Sequence, residues 1–508
     1  MKALISVYDK TGVAEFAGAL HRANIALVST GGTYDLLANQ VGLPVQKVSD
    51  LISFPEILAG RVKTLHPRIH GGLLARRDNP DDMSDLKQQG ISTIDLVAVN
   101  LYPFVETSRK ENVAFEQVIE NIDIGGPTLL RAGAKNFSFV IVVVDPLDYV
   151  WVANKIGNGG LNQEERRRLA YKAFRHISKY DAEVANYLSQ QCSNGLPSDL
   201  SLTYHKVYDL RYGENPHQEG ALYSLDAETG GIPGATLRHG RELSFNNLLD
   251  ADAAWRVVND FEQQTVVVIK HTNPCGLASN SHMAEAYRLA YQGDTVSAYG
   301  GIVGFNRVVD LETTEAMKGV FYEVVVAPGY EPEAFDMLKK RRNLRILQMT
   351  SSGDHVDDFD LRPVNGGLLA QTHDAIQDDP GLWNTVTDRE PSLVEMSDLI
   401  FAWKAVRHIK SNAIVMVKES SLLGMGAGQP NRVTSVDLAL RGSLGKAKDI
   451  VLASDAFFPF PDNVELAAQG GITAIVQPGG SIRDQEAIDA ANRHNIAMVF
   501  TGRRHFRH

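Results

Sequence analysis

The sequence predicts an α/β protein whose first part is a parallel, doubly wound sheet. Three observations carry this. Short apolar runs alternate with helix-patterned segments through the first 150 residues, as in successive βαβ units. A later run, Val266-Val267-Val268-Ile269, is entirely β-branched and reads as a strand buried on both faces. The chain has 508 residues, too many for one hydrophobic core at roughly 100–200 residues per domain.

In chain order, Ala3 to Val7 reads as a strand. Thr11 to Arg22 reads as a helix, with Val13, Phe16, Ala17 and Leu20 on one stripe. Ile25 to Val28 is a second strand, and Ile94 to Val99 and Phe139 to Val144 are two more. A long helix is expected from Gln163 to Gln190, opened by an Asn162 cap with Glu165 three residues on. Cys192 to Asp199 has linker composition, so units of 1–195 and 196–508 are expected. The second is large enough for two lobes. Its strand-then-turn sites are Thr265 to His271, Ile450 to Phe460 and Ile472 to Ser481; no internal repeat is evident.

Hydrophobic content of 44% and charged content of 22% are ordinary for a soluble globular protein. Lys plus Arg number 50 and Asp plus Glu 61, a net charge of −11. That balance argues against nucleic acid as a partner but leaves room for local basic pockets. The two cysteines, Cys192 and Cys275, have no paired spacing, which suits a reducing cytosol. Asp9 comes too early for a signal peptide, and no run approaches the ~20 apolar residues of a membrane helix. A cytoplasmic protein without membrane partners is expected.

Several loops have the composition of a site. Ser29-Thr30-Gly31-Gly32-Thr33 follows a strand and opens a helix, so backbone N–H groups and three hydroxyls can meet an anion. A plain capped turn explains it equally well. Gly60-Arg61-Val62-Lys63-Thr64-Leu65-His66-Pro67 packs three basic side chains into a short loop, able to clamp a phosphate or simply solvated. Tyr102 follows the strand ending at Val99. Asp123 precedes the Gly125-Gly126 pair, and Arg131 and Lys135 share a helix face. Together these suit a phosphorylated substrate and proton transfer. In the second unit, Lys270 and His271 stand at the carboxyl end of the β-branched strand, where open α/β sheets bind ligands. Asn273-Pro274 and Gly276 are expected to end that strand. Neighbours on a regular strand point to opposite faces, so both serve one site only if the strand stops between them.

These motifs resemble the bifunctional AICAR transformylase/IMP cyclohydrolase family, AICAR being 5-aminoimidazole-4-carboxamide ribonucleotide. The resemblance rests on Ser6 to Gly12, Ser29 to Thr33, Gly60 to Pro67, Asn100 to Phe104 and Ile122 to Gly126. It continues through Leu210 to Gln218, Ser244 to Asp250 with Trp255, Lys270 to Gly276 and Ala327 to Tyr330. Ser411-Asn412, Gly426 to Gln429, Ser454 to Phe460 and Arg504 to His508 complete it. It implies a methylglyoxal-synthase-like parallel sheet followed by two cytidine-deaminase-like lobes. It implies formyl transfer from 10-formyltetrahydrofolate to AICAR, then dehydrative ring closure to IMP. For ring closure, Asp123 is expected near the attacking nitrogen, with Lys63, Lys135 and Tyr102 around the carbonyl. Ser6, Lys10, Ser29, Thr30, Gly31, Gly32, Thr33, Arg61 and Thr64 are expected to bind that substrate. For formyl transfer, His271 is expected to take the amine proton and Lys270 to stabilise the oxyanion or protonate the leaving nitrogen. Arg211, Tyr212, His217, Asn247, Asn412, Gln429, Phe460, Asp462 and Arg504 are its expected substrate contacts. The resemblance implies a homodimer and no tightly bound cofactor; it allows a structural potassium ion that no motif here shows.

Two other classes fit the residues less well. Pro274-Cys275 is similar to part of a zinc deaminase motif, but three positions on stands Ala278, and the other cysteine, Cys192, lies in the linker. A nucleotide- or folate-binding module without both activities does not require Lys270, His271, Asp123 and Tyr102.

Overall fold

The computed structural model describes residues 1–110, 112–192, 195–225, 230–350, 359–446 and 448–508. Ser193 and Asn194 of the expected linker lie outside the described residues. The chain forms two compact units, Met1–Thr203 and Tyr204–His508, eight residues beyond the boundary expected at 195.

The first unit holds a five-stranded sheet in the order Val45–Lys47, Ala26–Ser29, Lys2–Ser6, Leu96–Val99, Ile141–Val143, every neighbour parallel. Alternation sends Leu4, Val28, Val97 and Val142 to one core and Ala3, Ile5, Leu27, Leu96 and Ile141 to the other. Each such fully buried Val, Leu or Ile side chain contributes about 1.5–3 kcal/mol, enough to fix short strands between helical layers. The strand Val45–Lys47 carries no apolar signal, because it is an edge and mostly exposed. The helix expected from Thr11 begins at Val13, since Gly12 is left-handed at φ 66°. The long helix runs Gln163–Cys192. Its start is a reciprocal pair: Glu165 N–H donates to Asn162 Oδ1 and Asn162 N–H to Glu165 Oε2, each at 2.9 Å.

The second unit is built on one twelve-stranded mixed sheet. The helix Phe245–Asn259, the hairpin Thr265–Lys270/Asn273–Ser279, the helix Met283–Gly293 and the strands Gly301–Phe305, Tyr322–Ala327 and Arg345–Gln348 form one half. The same order recurs in the other half. There it is helix Leu393–Val406, hairpin Ile414–Lys418/Ser421–Gly426, helix Arg432–Ser443 and strands Ile450–Ser454, Ile472–Gln477 and Ala497–Phe500. The expectation of no repeat is therefore wrong: the repeat lives in backbone order, which residue identities hide. The halves join antiparallel at Ala278↔Ser421, so equivalent turns lie at opposite ends of the strands. On one face a single core runs beneath both long helices, from Leu248 and Val267 to Trp403 and Val476. On the other face each half keeps its own core. The two expected lobes are thus separate on one face only.

Val266 to Ile269 are fully buried and alternate between those cores, as a doubly covered strand must. The chain turns earlier than expected, however. His271 (φ 51°) and Thr272 (φ 60°) form a two-residue turn, both left-handed as tight hairpins demand. Asn273–Ser279 is the returning strand, and Pro274 is accommodated at a register shift before Gly276. Among the described residues, no helix is long and apolar enough to cross a membrane.

Candidate functional site

In the first unit the chain order reverses between the strands Lys2–Ser6 and Leu96–Val99. A cleft of about 650 Å³ opens at their carboxyl ends, where a topological switch point places ligands. It gathers Ser6, Lys10, Thr30, Gly32, Thr33, Arg61, Lys63, Thr64, Tyr102 and Asp123. Lys10 is held in place by the Val7 carbonyl and by Thr33 Oγ1 at 3.1 Å. Burial, then the charge of Lys63, push its ammonium below the ordinary lysine range. Two ammonium groups in one cleft repel until an anion joins them. Arg61 pairs with Glu120 at the exposed rim, a weak pairing that an anionic ligand can replace.

Asp123 sits where the helix Gly125–Lys135 begins. Its Oδ1 accepts the Gly126 N–H at 2.8 Å, and its own N–H donates to Tyr180 Oη at 2.7 Å. Burial raises its pKa above the usual carboxylate value; the backbone donors and Lys63 offset this only in part. A Cβ on Gly126 would lie 2.7 Å from Asp123 Oδ2 and 2.6 Å from Leu101 Cδ2, so only glycine allows this approach. A half-buried carboxylate beside an ammonium and a phenol suits proton transfer.

Three expected residues stand apart. Ser29 is fully buried, and its hydroxyl donates to the Ile5 carbonyl at 2.6 Å, tying two strands together rather than facing the cleft. Gly31 does not line the cleft but lets Lys63 lie over it: the ammonium is 3.6 Å from where a Cβ would be. Lys135 is exposed at the far end of its helix, about 15 Å along the axis from Gly125 at 1.5 Å per residue. With Arg131 and Arg167 it lines a different hollow. The helix turns Gly126, Leu129, Leu130 and Gly133 inward, which leaves Arg131 and Lys135 on the outer face. His66 caps the helix Pro67–Leu74 through its ring nitrogen. The sequence reading missed Tyr8, whose ring stands edge-on to Tyr102 at 5.6 Å, and Glu120. Tyr8 lay inside the Ser6 to Gly12 motif; Glu120 had no local signal.

In the second unit the strand stops between Lys270 and His271, as one shared site requires. The Lys270 ammonium donates to the Tyr299 carbonyl at 2.9 Å, and His271 is exposed in the turn. Register brings the flanks of other strands to this same end of the sheet. Asn412 precedes Ile414 and Gln429 follows Gly426, which pairs with Ile414. Phe460 and Asp462 follow Ser454, which also pairs with Ile414, and Arg504 follows Phe500. Several of these are already engaged. Asn412 Oδ1 accepts from Arg432 at 2.7 Å and its amide donates to the Gln429 carbonyl at 2.9 Å. Gln429 donates to the Ala427 carbonyl at 3.0 Å. Asn247 is buried, forms a capping box with Ser244 and donates to Glu323 Oε2 at 3.0 Å. Asp462 accepts the Asn463 N–H at 2.8 Å. Phe460 lies under Arg483, and Arg504, Arg211, His217 and Tyr212 are exposed or half-exposed. Arg211 rests on the Tyr212 ring at 4.9 Å and acts electrostatically on Arg345. From Lys270 to the strand before Arg504 is six strand spacings, about 29 Å at 4.8 Å each. Cys275 is buried with its thiol pushed up to about 12, and among the described residues no group of three metal-ligating side chains exists.

The sequence matches the AICARFT/IMPCHase bienzyme family over residues 133–442 and the MGS-like domain over residues 12–128. It is 50% identical to the bifunctional purine biosynthesis protein PurH of Thermoanaerobacter sp. (strain X514), covering 100% of this chain and 99% of that protein. It is 48% identical to the protein of the same description from Dictyostelium discoideum, covering 100% of both. To PurH of Caldicellulosiruptor saccharolyticus it is 49% identical, over 100% of this chain and 99% of that one. Matched from end to end, with a cation-and-carboxylate cleft in one unit and a Lys-His turn in the other, the chain belongs to the bifunctional AICARFT/IMPCHase family of purine biosynthesis.

Proposed function

We propose that the two activities of this bienzyme divide between its two units. The chain is an AICAR transformylase and an IMP cyclohydrolase. The cleft of residues 1–203 is the ring-closure site. The observation that carries this is the convergence of Lys10, Lys63, Tyr102 and Asp123 at the switch point. The Lys10 ammonium, with Thr30 and Gly32, holds the phosphate. The carboxamide nitrogen of formyl-AICAR attacks its formyl carbon and Asp123 takes the nitrogen's proton. Lys63 and Tyr102 donate to the oxygen that becomes negative; it takes up the proton held by Asp123, and the C–O bond then breaks as the former formamide nitrogen gives up its own proton and forms the C=N bond, so that the oxygen leaves as water.

The sheet end around Lys270 and His271 is the formyl-transfer site. His271 takes the amine proton of AICAR as the nitrogen attacks the formyl group of 10-formyltetrahydrofolate, the co-substrate. Lys270 faces the oxyanion; as it collapses, the bond from the formyl carbon to folate N10 breaks and N10 takes the proton from His271, releasing tetrahydrofolate. The reading keeps AICAR, formyl-AICAR and folate as the only partners besides a second copy of the chain, in the cytoplasm. The length of sheet over which the candidate ligands spread favours a homodimer whose partner completes each site. No tightly bound cofactor is invoked. A structural potassium ion rests on the family alone.

The test is a coupled assay. With AICAR and 10-formyltetrahydrofolate the protein should form IMP. Asp123→Ala should accumulate formyl-AICAR, and His271→Ala should form IMP only from supplied formyl-AICAR. A single variant abolishing both steps in a folded protein would defeat the division.

A further inference from the structure

The repeat within the second unit provides an internal comparison. In the first half the turn His271-Thr272 is held from below by Asp250 of the helix Phe245–Asn259. The Thr272 N–H donates to Asp250 Oδ1 at 2.7 Å, and the His271 N–H also faces this carboxylate. In the second half the equivalent turn is Glu419-Ser420, again with two positive φ angles, 50° and 53°. Asp398 of the helix Leu393–Val406 holds it, accepting the Glu419 N–H at 3.0 Å and the Ser420 N–H at 2.8 Å. The correspondence extends further. Asp250 lies six residues after the capping Ser244, and Asp398 six after the capping Ser392. The lysine before each turn donates to the carbonyl just ahead of the next-but-one strand: Lys270 to Tyr299 at 2.9 Å, Lys418 to Asp449 at 3.2 Å. The scaffold of lysine, tight turn and carboxylate thus occurs twice. Only the first copy places an imidazole on it.

Two adjacent non-glycine residues in the left-handed region are strained, and such strain persists only where the surroundings impose the conformation. In both copies the carboxylate beneath the turn, half-buried at Asp250 and buried at Asp398, is the group that imposes it. In the first copy the imposed conformation also sets where the His271 ring and the Lys270 ammonium point. Burial raises the Asp250 pKa, while the Thr272 N–H and the His271 and Lys270 charges act to lower it, so the carboxylate lies within electrostatic reach of both groups.

We propose that Asp250 is a positioning residue for formyl transfer: by accepting both backbone N–H groups of the His271-Thr272 turn, it aims His271 and Lys270 at the reacting formyl group. The proposal rests on the assignment of His271 and Lys270 above. Asp398 supplies the control, because it performs the same backbone task at the opposite end of the sheet, beside a glutamate.

The experiment compares Asp250→Ala, Asp250→Asn, Asp398→Ala and His271→Ala in the full-length protein, each checked for folding by circular dichroism and thermal melting. Formyl transfer and ring closure are measured separately. A displacement of about 1 Å costs on the order of 10²-fold in rate, so Asp250→Ala should lose about that factor in transformylase kcat. Its KM for AICAR should stay within about threefold of wild type. Asp250→Asn keeps an accepting oxygen and should recover most of the loss. Asp398→Ala should lower the melting midpoint comparably and leave transformylase kcat unchanged. All four should close the ring normally. Full transformylase activity in folded Asp250→Ala, or an equal loss in Asp398→Ala, would overturn the proposal. If His271→Ala itself transfers formyl groups normally, the assignment of His271 fails, and the proposal that Asp250 aims it fails with it.

Discussion

At the residue scale, Asp123 carries two tasks that pull against each other. Its position at a helix start favours the charged form, whereas its burial favours the neutral one, and burial prevails. A general base must be ionised, and a raised pKa keeps it protonated up to a higher pH. Ring closure should therefore fall away on the acid side with a midpoint above the ordinary aspartate value of about 3.9. A pH–rate profile with formyl-AICAR checks this, and a midpoint at or below that value would contradict it. Losing one positioned donor costs about 10²–10³-fold in rate. Lys63→Ala and Asp123→Ala should each show losses of that order in ring closure with formyl transfer intact. Lys135→Ala, far from the cleft in its own chain, should be milder unless a second copy supplies it. In the other unit, Lys270→Ala should abolish formyl transfer while AICAR still binds, which equilibrium dialysis can show. Chelators should not change the rate, since Cys275 is buried and no thiol partner accompanies it.

At the scale of elements, the most constrained junction is the start of the helix Gly125–Lys135. Thr64, Leu101 and Asp123 all close on its two glycines: a Cβ on Gly125 would lie 2.7 Å from Thr64 Oγ1. Overpacking of this kind costs about 1–3 kcal/mol. Gly126→Ala should accordingly lower the melting midpoint and, by pushing Asp123 aside, slow ring closure more than Thr128→Ala on the same helix. Equal activity of the two variants at a temperature where both are folded would show that the helix start tolerates displacement. The mirrored turns of the second unit make the same point in reverse, since one aspartate fixes two strained residues in each.

At the scale of the molecule, the division at Thr203 gives a direct test. Ala170, Ala173, Ile177 and Tyr180 of the long helix complete the first core, and Asn186 donates to the Ser201 carbonyl at 2.9 Å. A fragment ending at Thr203 should therefore fold and close the ring, whereas one ending at Asn162 should aggregate. Circular dichroism and the ring-closure assay decide it. Formyl transfer should behave differently. Mixed dimers of Lys270→Ala and Arg504→Ala subunits should regain part of the activity that each homodimer lacks, because Arg504 is exposed and separated from Lys270 along the sheet. A C2 dimer gives one intact site per mixed pair. Activity that stays at the level of the parents would place both residues in one subunit's site.

The sequence alone determined the doubly covered strands that are written as β-branched runs, such as Val266 to Ile269, but not Gly301–Phe305, Tyr322–Ala327 or Ile414–Lys418. Its motifs identified the family, and the resemblance, more than the spacing of glycines and hydroxyls, named ten of the residues that line the first cleft. It could not show where Lys135 and Ser29 point, since a helix face or a strand face is chosen by what packs against it. Nor could it show that Asn247 and Asn412 are held by Glu323 and Arg432, partners far away in the chain. The edge strand Val45–Lys47 and the hairpin turn at His271-Thr272 were likewise decided by pairing rather than by local propensity. The repeat in the second unit was invisible for the same reason. Backbone order and two aspartates beneath the turns preserve it, while the residues they support, a histidine in one copy and a glutamate in the other, have nothing in common.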